Sequence, residues 1–147
     1  MEDGRIGVAV IQTWENSVQV DDLKIAADIK GWIDKFKPRL TCYDKYATQT
    51  IADRLSRAGV MVEDVSGAQF YQACGDLLDS IVNMRMAHPM QPELDKQMNN
   101  VAAKTNDSGW RIVKRKSAGD VSAPIALAMV VHQLLKPIAK PAIYSLE

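Results

Sequence analysis

Two aspartates occupy places in the chain where carboxylates often do chemistry. Asp44 directly follows a short predicted strand over residues 39–43, and Asp120 begins the last predicted helix, in which residues 124–131 are almost wholly apolar. In open α/β sheets, ligands and reacting groups collect at the carboxyl ends of strands. Asp44 can therefore face a cleft, and Asp120 lies at the mouth of the core. The plainer interpretations are a turn residue for Asp44 and a helix N-cap for Asp120, although a cap can also be a metal ligand.

A basic cluster precedes the last predicted helix. It lies next to Trp110 and comprises Arg111, Lys114, Arg115 and Lys116. Such a cluster can contact phosphates, although a short run of charge is also typical of a solvated strand end. The sequence contains no GxxxxGK[ST] or GxGxxG motif, so its motifs do not indicate an ATPase or a dinucleotide-binding protein. The GxSxG and CxxC motifs are absent as well.

The composition is that of an ordinary globular protein. The chain of 147 residues has 18 Lys and Arg against 18 Asp and Glu, and 47% of its residues are hydrophobic. These values predict a single domain over residues 1–147 with a sizeable core, and they exclude a disordered tail. Because the net charge is zero, any contact with DNA must come from a local patch.

The sequence carries no signal for a membrane or for secretion. Its longest apolar run, residues 123–131, is far shorter than the ~20 residues that span a bilayer. The acidic N-terminal residues lack the apolar segment of a secretory signal. Cys42 and Cys74 lie in apolar contexts without a metal-binding spacing, which favours buried free thiols in a reducing cytoplasm.

Apolar periodicity and turn residues divide the chain into alternating strands and helices. Apolar residues spaced by three and four predict the helices, and β-branched runs bounded by turn residues predict the strands. Asp21 or Asp22 caps the first helix, which ends before Pro38. The predicted strands are residues 5–14, 39–43, 60–65 and 110–115, and the later helices are residues 46–58, 67–84, 93–104 and 120–135. This alternation predicts an α/β domain with a largely parallel sheet.

Several stretches together resemble the large terminase subunits of tailed bacteriophages. In that family an apolar strand ends in Tyr-Asp and is followed by an aromatic residue, a helix, a glycine and a second strand, as here in residues 39–46 and 55–59 and at Gln69. Residues 93–100 are similar to a family segment in which Leu precedes a helix containing Asn. Residues 116–120, running into residues 123–129, are similar to the closing helix of basic residues, Asp and Ala-Leu-Ala-Met. The resemblance covers nearly the whole chain and keeps the order of the motifs.

The resemblance implies the carboxy-terminal nuclease domain of a terminase, with a ribonuclease H-like mixed sheet flanked by helices. It implies an endonuclease that cuts concatemeric double-stranded DNA in the host cytoplasm with two Mg²⁺ or Mn²⁺ ions, encoded by a phage or prophage. By position, Asp44 matches the second acidic ligand of the family and Asp120 the last one. The basic cluster would then contact the DNA backbone, and the portal or the small terminase subunit is a further expected partner.

The chain also departs from the family pattern. The first acidic ligand of the family lies on a strand that precedes the hairpin with which this sequence begins, so we expect an N-terminally incomplete domain. Asp3 lies at the wrong end of the predicted strand to replace that ligand. An alternative function is therefore a non-catalytic remnant or interaction module that binds DNA or a packaging partner. A third alternative is an unrelated α/β domain in which Asp44 and Asp120 are only a turn residue and a cap.

Overall fold

The computed structural model describes residues 3–15 and 21–137 and confirms an α/β fold. Helices and short strands alternate over most of its length. The strands are β1 (Ile6–Gly7), β2 (Thr41–Tyr43), β3 (Val62–Asp64), β4 (Met86–Ala87), β5 (Ala103–Asn106) and β6 (Gly109–Ile112). The helices are α1 (Asp22–Phe36), α2 (Lys45–Arg57), α3 (Ala68–Val82), α4 (Pro92–Asn100) and α5 (Ser122–Leu135), and a 3-10 turn covers Lys114–Lys116.

The strands form small pairs where the sequence predicted a largely parallel sheet. In the described residues, β1 pairs with β4 and β2 pairs with β3, both in parallel, whereas β5 and β6 form an antiparallel hairpin. The sequence did not predict β5, because Ala103 and Lys104 favour a helix and were included in the predicted helix over residues 93–104. Pairing with β6 overrides that local preference, since Ala103 lies opposite Ile112 and Lys104 lies opposite Arg111.

Two further element boundaries were wrong. The predicted strand over residues 5–14 is reduced to Ile6–Gly7, and residues 8–15 have no regular secondary structure. In this segment the side-chain amide of Gln91 makes the hydrogen bonds that a neighbouring strand would make. It donates to the carbonyl of Val10 (2.8 Å) and accepts from the N–H of Val10 (2.9 Å). The basic residues Lys114 and Arg115, predicted at the end of a strand, lie in the 3-10 turn.

The helix predictions were confirmed where apolar spacing and capping agree. Asp21 caps α1 by accepting hydrogen bonds from the N–H groups of Leu23 and Lys24. Helices α3 and α5 pack against each other, and Ala73 of α3 and Ala128 of α5 are fully buried in the core. None of the helices in residues 3–15 and 21–137 is long and apolar enough to cross a membrane.

Candidate metal centre and nucleic-acid cleft

Three carboxylates from distant parts of the chain meet near the start of α5. One oxygen each of Glu15, Glu93 and Asp120 lies within 4.8 Å of the other two. Glu15 lies in the irregular segment, Glu93 follows Pro92 in the first turn of α4, and Asp120 lies just before α5. Glu15 and Asp120 are exposed, whereas Glu93 is half-buried. The structure therefore brings Asp120 together with two carboxylates that the sequence analysis did not identify as site residues.

A buried glutamine connects this acidic group to the core. Gln97 of α4 is only 1% exposed. Its side-chain NH₂ donates to Glu93 Oε1 (2.9 Å), and its carbonyl oxygen accepts from the N–H of Ala123 (2.7 Å) in the first turn of α5. Because a buried amide needs partners for both of its ends, Gln97 holds Glu93 and the start of α5 in one arrangement.

The Asp120 carboxylate has the hydrogen bonds of a helix start. It accepts from the N–H of Ser122 (2.9 Å) and from the Ser122 hydroxyl (3.0 Å). The N-cap residue itself is Val121, one position later than the capping interpretation placed it. The side-chain amide of Asn100, at the end of α4, donates to the main-chain carbonyl of Asp120 (3.2 Å). The carboxylate is thus oriented by α5 while the backbone is held by α4.

We predict that Gly119→Ala loosens Asp120 at a small cost in stability. A Cβ at Gly119 would lie 2.8 Å from Nδ2 of Asn100, so that side chain must move and lose its bond to Asp120. The loss of one hydrogen bond lowers the free energy of unfolding by about 1 kcal/mol. Urea denaturation of Gly119→Ala, Asn100→Ala and the double variant measures this. Simple additivity of the two effects would show that the two residues do not interact in this way.

The irregular segment that carries Glu15 is held by α1 as well as by Gln91. The indole N–H of Trp14 donates to Asp28 (2.8 Å), and the indole N–H of Trp32 donates to the side-chain oxygen of Gln12 (2.7 Å). No sequence pattern marks Glu15. Acidic residues such as Glu93 are common in the first turn of a helix even where no ligand binds, because their negative charge interacts favourably with the helix dipole.

The acidic group fits one divalent cation. Hard cations take oxygen ligands at about 2.0–2.6 Å, so ligands on opposite sides of one ion lie about 4–5 Å apart. The oxygens of Glu15, Glu93 and Asp120 satisfy this limit. Asp44 is not one of the three carboxylates.

Asp44 lies instead at the carboxyl end of β2, in a cleft of about 610 Å³. It caps α2 by accepting from the N–H of Tyr46 (2.9 Å), and Asp64, at the end of the neighbouring strand β3, accepts from the N–H of Lys45 (3.0 Å). Asp44 therefore has the strand-end position and the cleft that the sequence predicted for it.

All four residues of the basic cluster line the same cleft as Asp44. A fifth cation, from β5, was missed because that strand was not predicted. The cationic lining is Lys104, Arg111, Lys114, Arg115 and Lys116. Lys116 is followed by the loop that leads to Asp120, and Ile125 of α5 lines the cleft again. One loop thus connects the cleft to the acidic group, while the sharing of one metal cluster by Asp44 and Asp120 stays a prediction.

The two cysteines are free thiols, and neither belongs to the acidic group. Cys74 is fully buried in the core and Cys42 is half-buried in β2. Burial raises the pKa of the Cys42 thiol from 9.0 to about 11, with a smaller contribution from the charge of Glu63 on the paired strand. Burial likewise raises the pKa of Cys74.

We predict that both thiols react slowly with a disulfide reagent in the folded protein at pH 8 and rapidly in urea, because the thiolate is the reactive form. The folded protein favours the protonated Cys42 thiol. The contribution of the protonated Cys42 thiol to the free energy of unfolding is therefore complete below the pKa that the thiol has in the unfolded chain. It is lost as the pH rises through about 11, the pKa of the thiol in the folded protein. Thermal melts from pH 8 to 11 measure the loss. Cys42→Ala should show a shallower decline, and an identical decline would contradict this assignment.

The fold is similar to that of two solved phage proteins. The HK97 bacteriophage large terminase superposes with a TM-score of 0.67 and 22% identity, over 78% of this chain and 25% of that chain. The large terminase nuclease from the thermophilic phage G20c superposes with a TM-score of 0.60 and 14% identity, over 81% of this chain and 64% of that chain. The match thus spans less than two thirds of either protein. Neither a protein-family model nor a curated protein sequence matches the chain.

These similarities confirm the resemblance inferred from the motifs. The chain has a terminase nuclease-like fold over most of its length.

Proposed function

We propose that this chain is a metal-dependent endonuclease domain of a phage DNA-packaging terminase. It cuts concatemeric double-stranded DNA by hydrolysing phosphodiester bonds with two divalent ions. The observation that carries the proposal is the convergence of Glu15, Glu93 and Asp120 beside the loop that leads from a cationic cleft. The similarity in fold to terminase nucleases supports the class of reaction.

Carboxylates supply the metal ligands in this proposal. Glu15, Glu93 and Asp120 would hold one Mg²⁺ or Mn²⁺ ion, and Asp44 is the candidate ligand for the second. When bound, two such ions would supply an activated water and stabilise the leaving oxygen. Gln97 supports the orientation of Glu93, because it donates a hydrogen bond to the Glu93 carboxylate from a fully enclosed position.

The cationic cleft holds the DNA. Arg111, Lys114, Arg115 and Lys116, joined by Lys104, neutralise backbone phosphates without reading the sequence of bases. Because the chain has no net charge, this local patch supplies the attraction. Binding should therefore weaken steeply as the salt concentration rises.

The wider setting follows from the same resemblance. We place the chain, as one domain over residues 1–147, in the ribonuclease H-like class with a mixed sheet flanked by helices. It acts in the cytoplasm of the host cell, encoded by a phage or prophage, with the portal or the small terminase subunit as partner. The parallel strand pairs and the antiparallel hairpin are compatible with that mixed topology.

Cleavage of supercoiled plasmid by the full chain tests the proposal. We expect nicked and linear DNA with Mn²⁺ or Mg²⁺, and none with EDTA. A reaction that proceeds equally in EDTA would contradict metal dependence. Absence of cleavage across a range of Mn²⁺ concentrations, by a chain whose folding is verified by circular dichroism, would contradict the enzymatic proposal.

A non-catalytic interaction module is the second candidate. The observation that favours it is that Asp44 is not part of the three-carboxylate group, which leaves that group suited to a single ion. Isothermal titration calorimetry with Mn²⁺ separates the two functions. Binding at two sites supports the nuclease, whereas DNA binding that needs no metal, without cleavage, supports the module.

A further inference from the structure

Two tyrosines line the cationic cleft. Tyr46 in the first turn of α2 is 77% exposed, and Tyr71 in α3 is half-buried. An exposed aromatic ring contributes little to the core, so the position of Tyr46 on the wall of a basic cleft needs another explanation. Aromatic rings interleaved with cations are the usual composition of a surface on which unpaired bases stack.

Each ring also has a cation close to it. The Lys45 ammonium nitrogen lies 5.2 Å from the centre of the Tyr46 ring, and the Arg111 guanidinium carbon lies 6.0 Å from the centre of the Tyr71 ring. The Tyr71 hydroxyl accepts a hydrogen bond from the side-chain amide of Asn106 in the β5–β6 hairpin. Tyr71 is thus oriented by a polar contact, and a phosphate next to either ring would find a positive charge.

The aromatic lining of the cleft favours a single strand over a duplex. In a duplex the faces of the bases are stacked on one another, so an aromatic side chain reaches a base face only where the strand is unpaired or unstacked. The volume of about 610 Å³ lies in the range of roughly 300–1,000 Å³ that is typical of pockets for small-molecule ligands.

We infer that the cleft binds an unpaired stretch of a nucleotide strand, with Tyr46 and Tyr71 as stacking surfaces for its bases. The cationic side chains hold its phosphates. This inference rests on the DNA-binding part of the proposed function and is independent of its catalytic part. In a nuclease, such a cleft would hold the strand end that a cut leaves frayed.

Fluorescence anisotropy in EDTA, with a labelled oligothymidine and a duplex of the same length, tests the inference on the full chain. Tyr46→Ala and Tyr71→Ala should each weaken binding of the single strand by about 5- to 150-fold, the effect of losing one stacked base. Binding of the duplex should change little. Tyr46→Phe should retain the wild-type affinity, because the ring remains.

The chain offers a matched control outside the cleft. Phe36 in α1 is 57% exposed, is stacked on Trp32 and has the Lys35 ammonium 5.3 Å from its centre. Phe36→Ala should bind both DNA forms like the wild type. If Tyr71→Ala does not fold, Tyr46→Ala and Tyr71→Leu still test the two positions, since Tyr46 is exposed and Leu keeps most of the Tyr71 contact.

The outcomes separate this inference from the proposed catalysis. Equal loss of single-strand and duplex binding in the tyrosine variants would overturn stacking, and so would unchanged binding of both forms or a wild type that binds no single strand. Selective loss of single-strand binding supports the inference even if plasmid cleavage is never observed. Plasmid cleavage without the selective loss supports the nuclease and overturns only the stacking.

Discussion

Asp120→Asn should lower the rate of Mn²⁺-dependent plasmid nicking by more than about 100-fold. Removing a residue that only supports a metal ligand typically lowers metal affinity or activity by 10–100-fold. Removing the charge of the ligand itself should therefore lower the nicking rate by at least about 100-fold. The fold should remain, because the Asn side-chain oxygen can still accept from the N–H of Ser122 at the start of α5. Initial rates of nicking together with thermal melts measure both effects.

Asp95→Asn is the matched control for Asp120→Asn. Asp95 is an exposed carboxylate in the first turns of α4 but does not belong to the three-carboxylate group. The Asp95→Asn variant should nick plasmid at the wild-type rate. The nicking rate of Glu93→Gln should fall as that of Asp120→Asn does. The nicking rate of Asp44→Asn shows whether the carboxylate in the cleft takes part in the same reaction. Equal activity of Asp44→Asn, Asp120→Asn and the wild type would remove both aspartates from the mechanism.

Gln97→Leu should have the largest effect on stability, lowering the free energy of unfolding by about 2 kcal/mol. The side chain is enclosed, and its loss removes the partner of the Ala123 N–H and a bond to Glu93. Leaving a buried donor without its partner costs about 1–3 kcal/mol, even though Leu fills much of the space. The affinity for Mn²⁺ should fall by 10–100-fold as well, because Glu93 is no longer oriented. Urea denaturation and calorimetry measure the two effects.

Two further variants define the role of Gln97. Gln72→Leu, at an exposed position of α3, should stay within about 0.5 kcal/mol of the wild type. Gln97→Glu keeps an acceptor for the Ala123 N–H but places a second carboxylate against Glu93, so it should be unstable at neutral pH and recover on acidification. If Gln97→Leu unfolds at the wild-type urea concentration, the hydrogen bonds of Gln97 do not hold α4 and α5 together.

Local sequence signals determined the helices and the composition of the cleft. Asp21, the apolar spacing of α1 and the proline at Pro38 act within a few residues of one another, so the helix that they delimit is readable without any tertiary contact. The same holds for the continuous apolar run of α5. The basic cluster and Asp44 were also identified from the sequence, because charge runs and strand ends are properties of neighbouring residues.

Contacts between residues far apart in the chain decided the β5–β6 hairpin and the group of three carboxylates. The β5 strand exists because Ala103 meets Ile112 across a hairpin, and local helix preference gave no hint of that contact. Glu15 and Glu93 meet Asp120 in the folded chain, where the side chains of Gln91 and Gln97 connect the irregular segment, α4 and α5. A hydrogen bond between residues far apart in the chain leaves no periodic trace in the sequence. The sequence alone therefore identified Asp44, Asp120 and the basic cluster as candidates, whereas the tertiary structure decided which carboxylates meet.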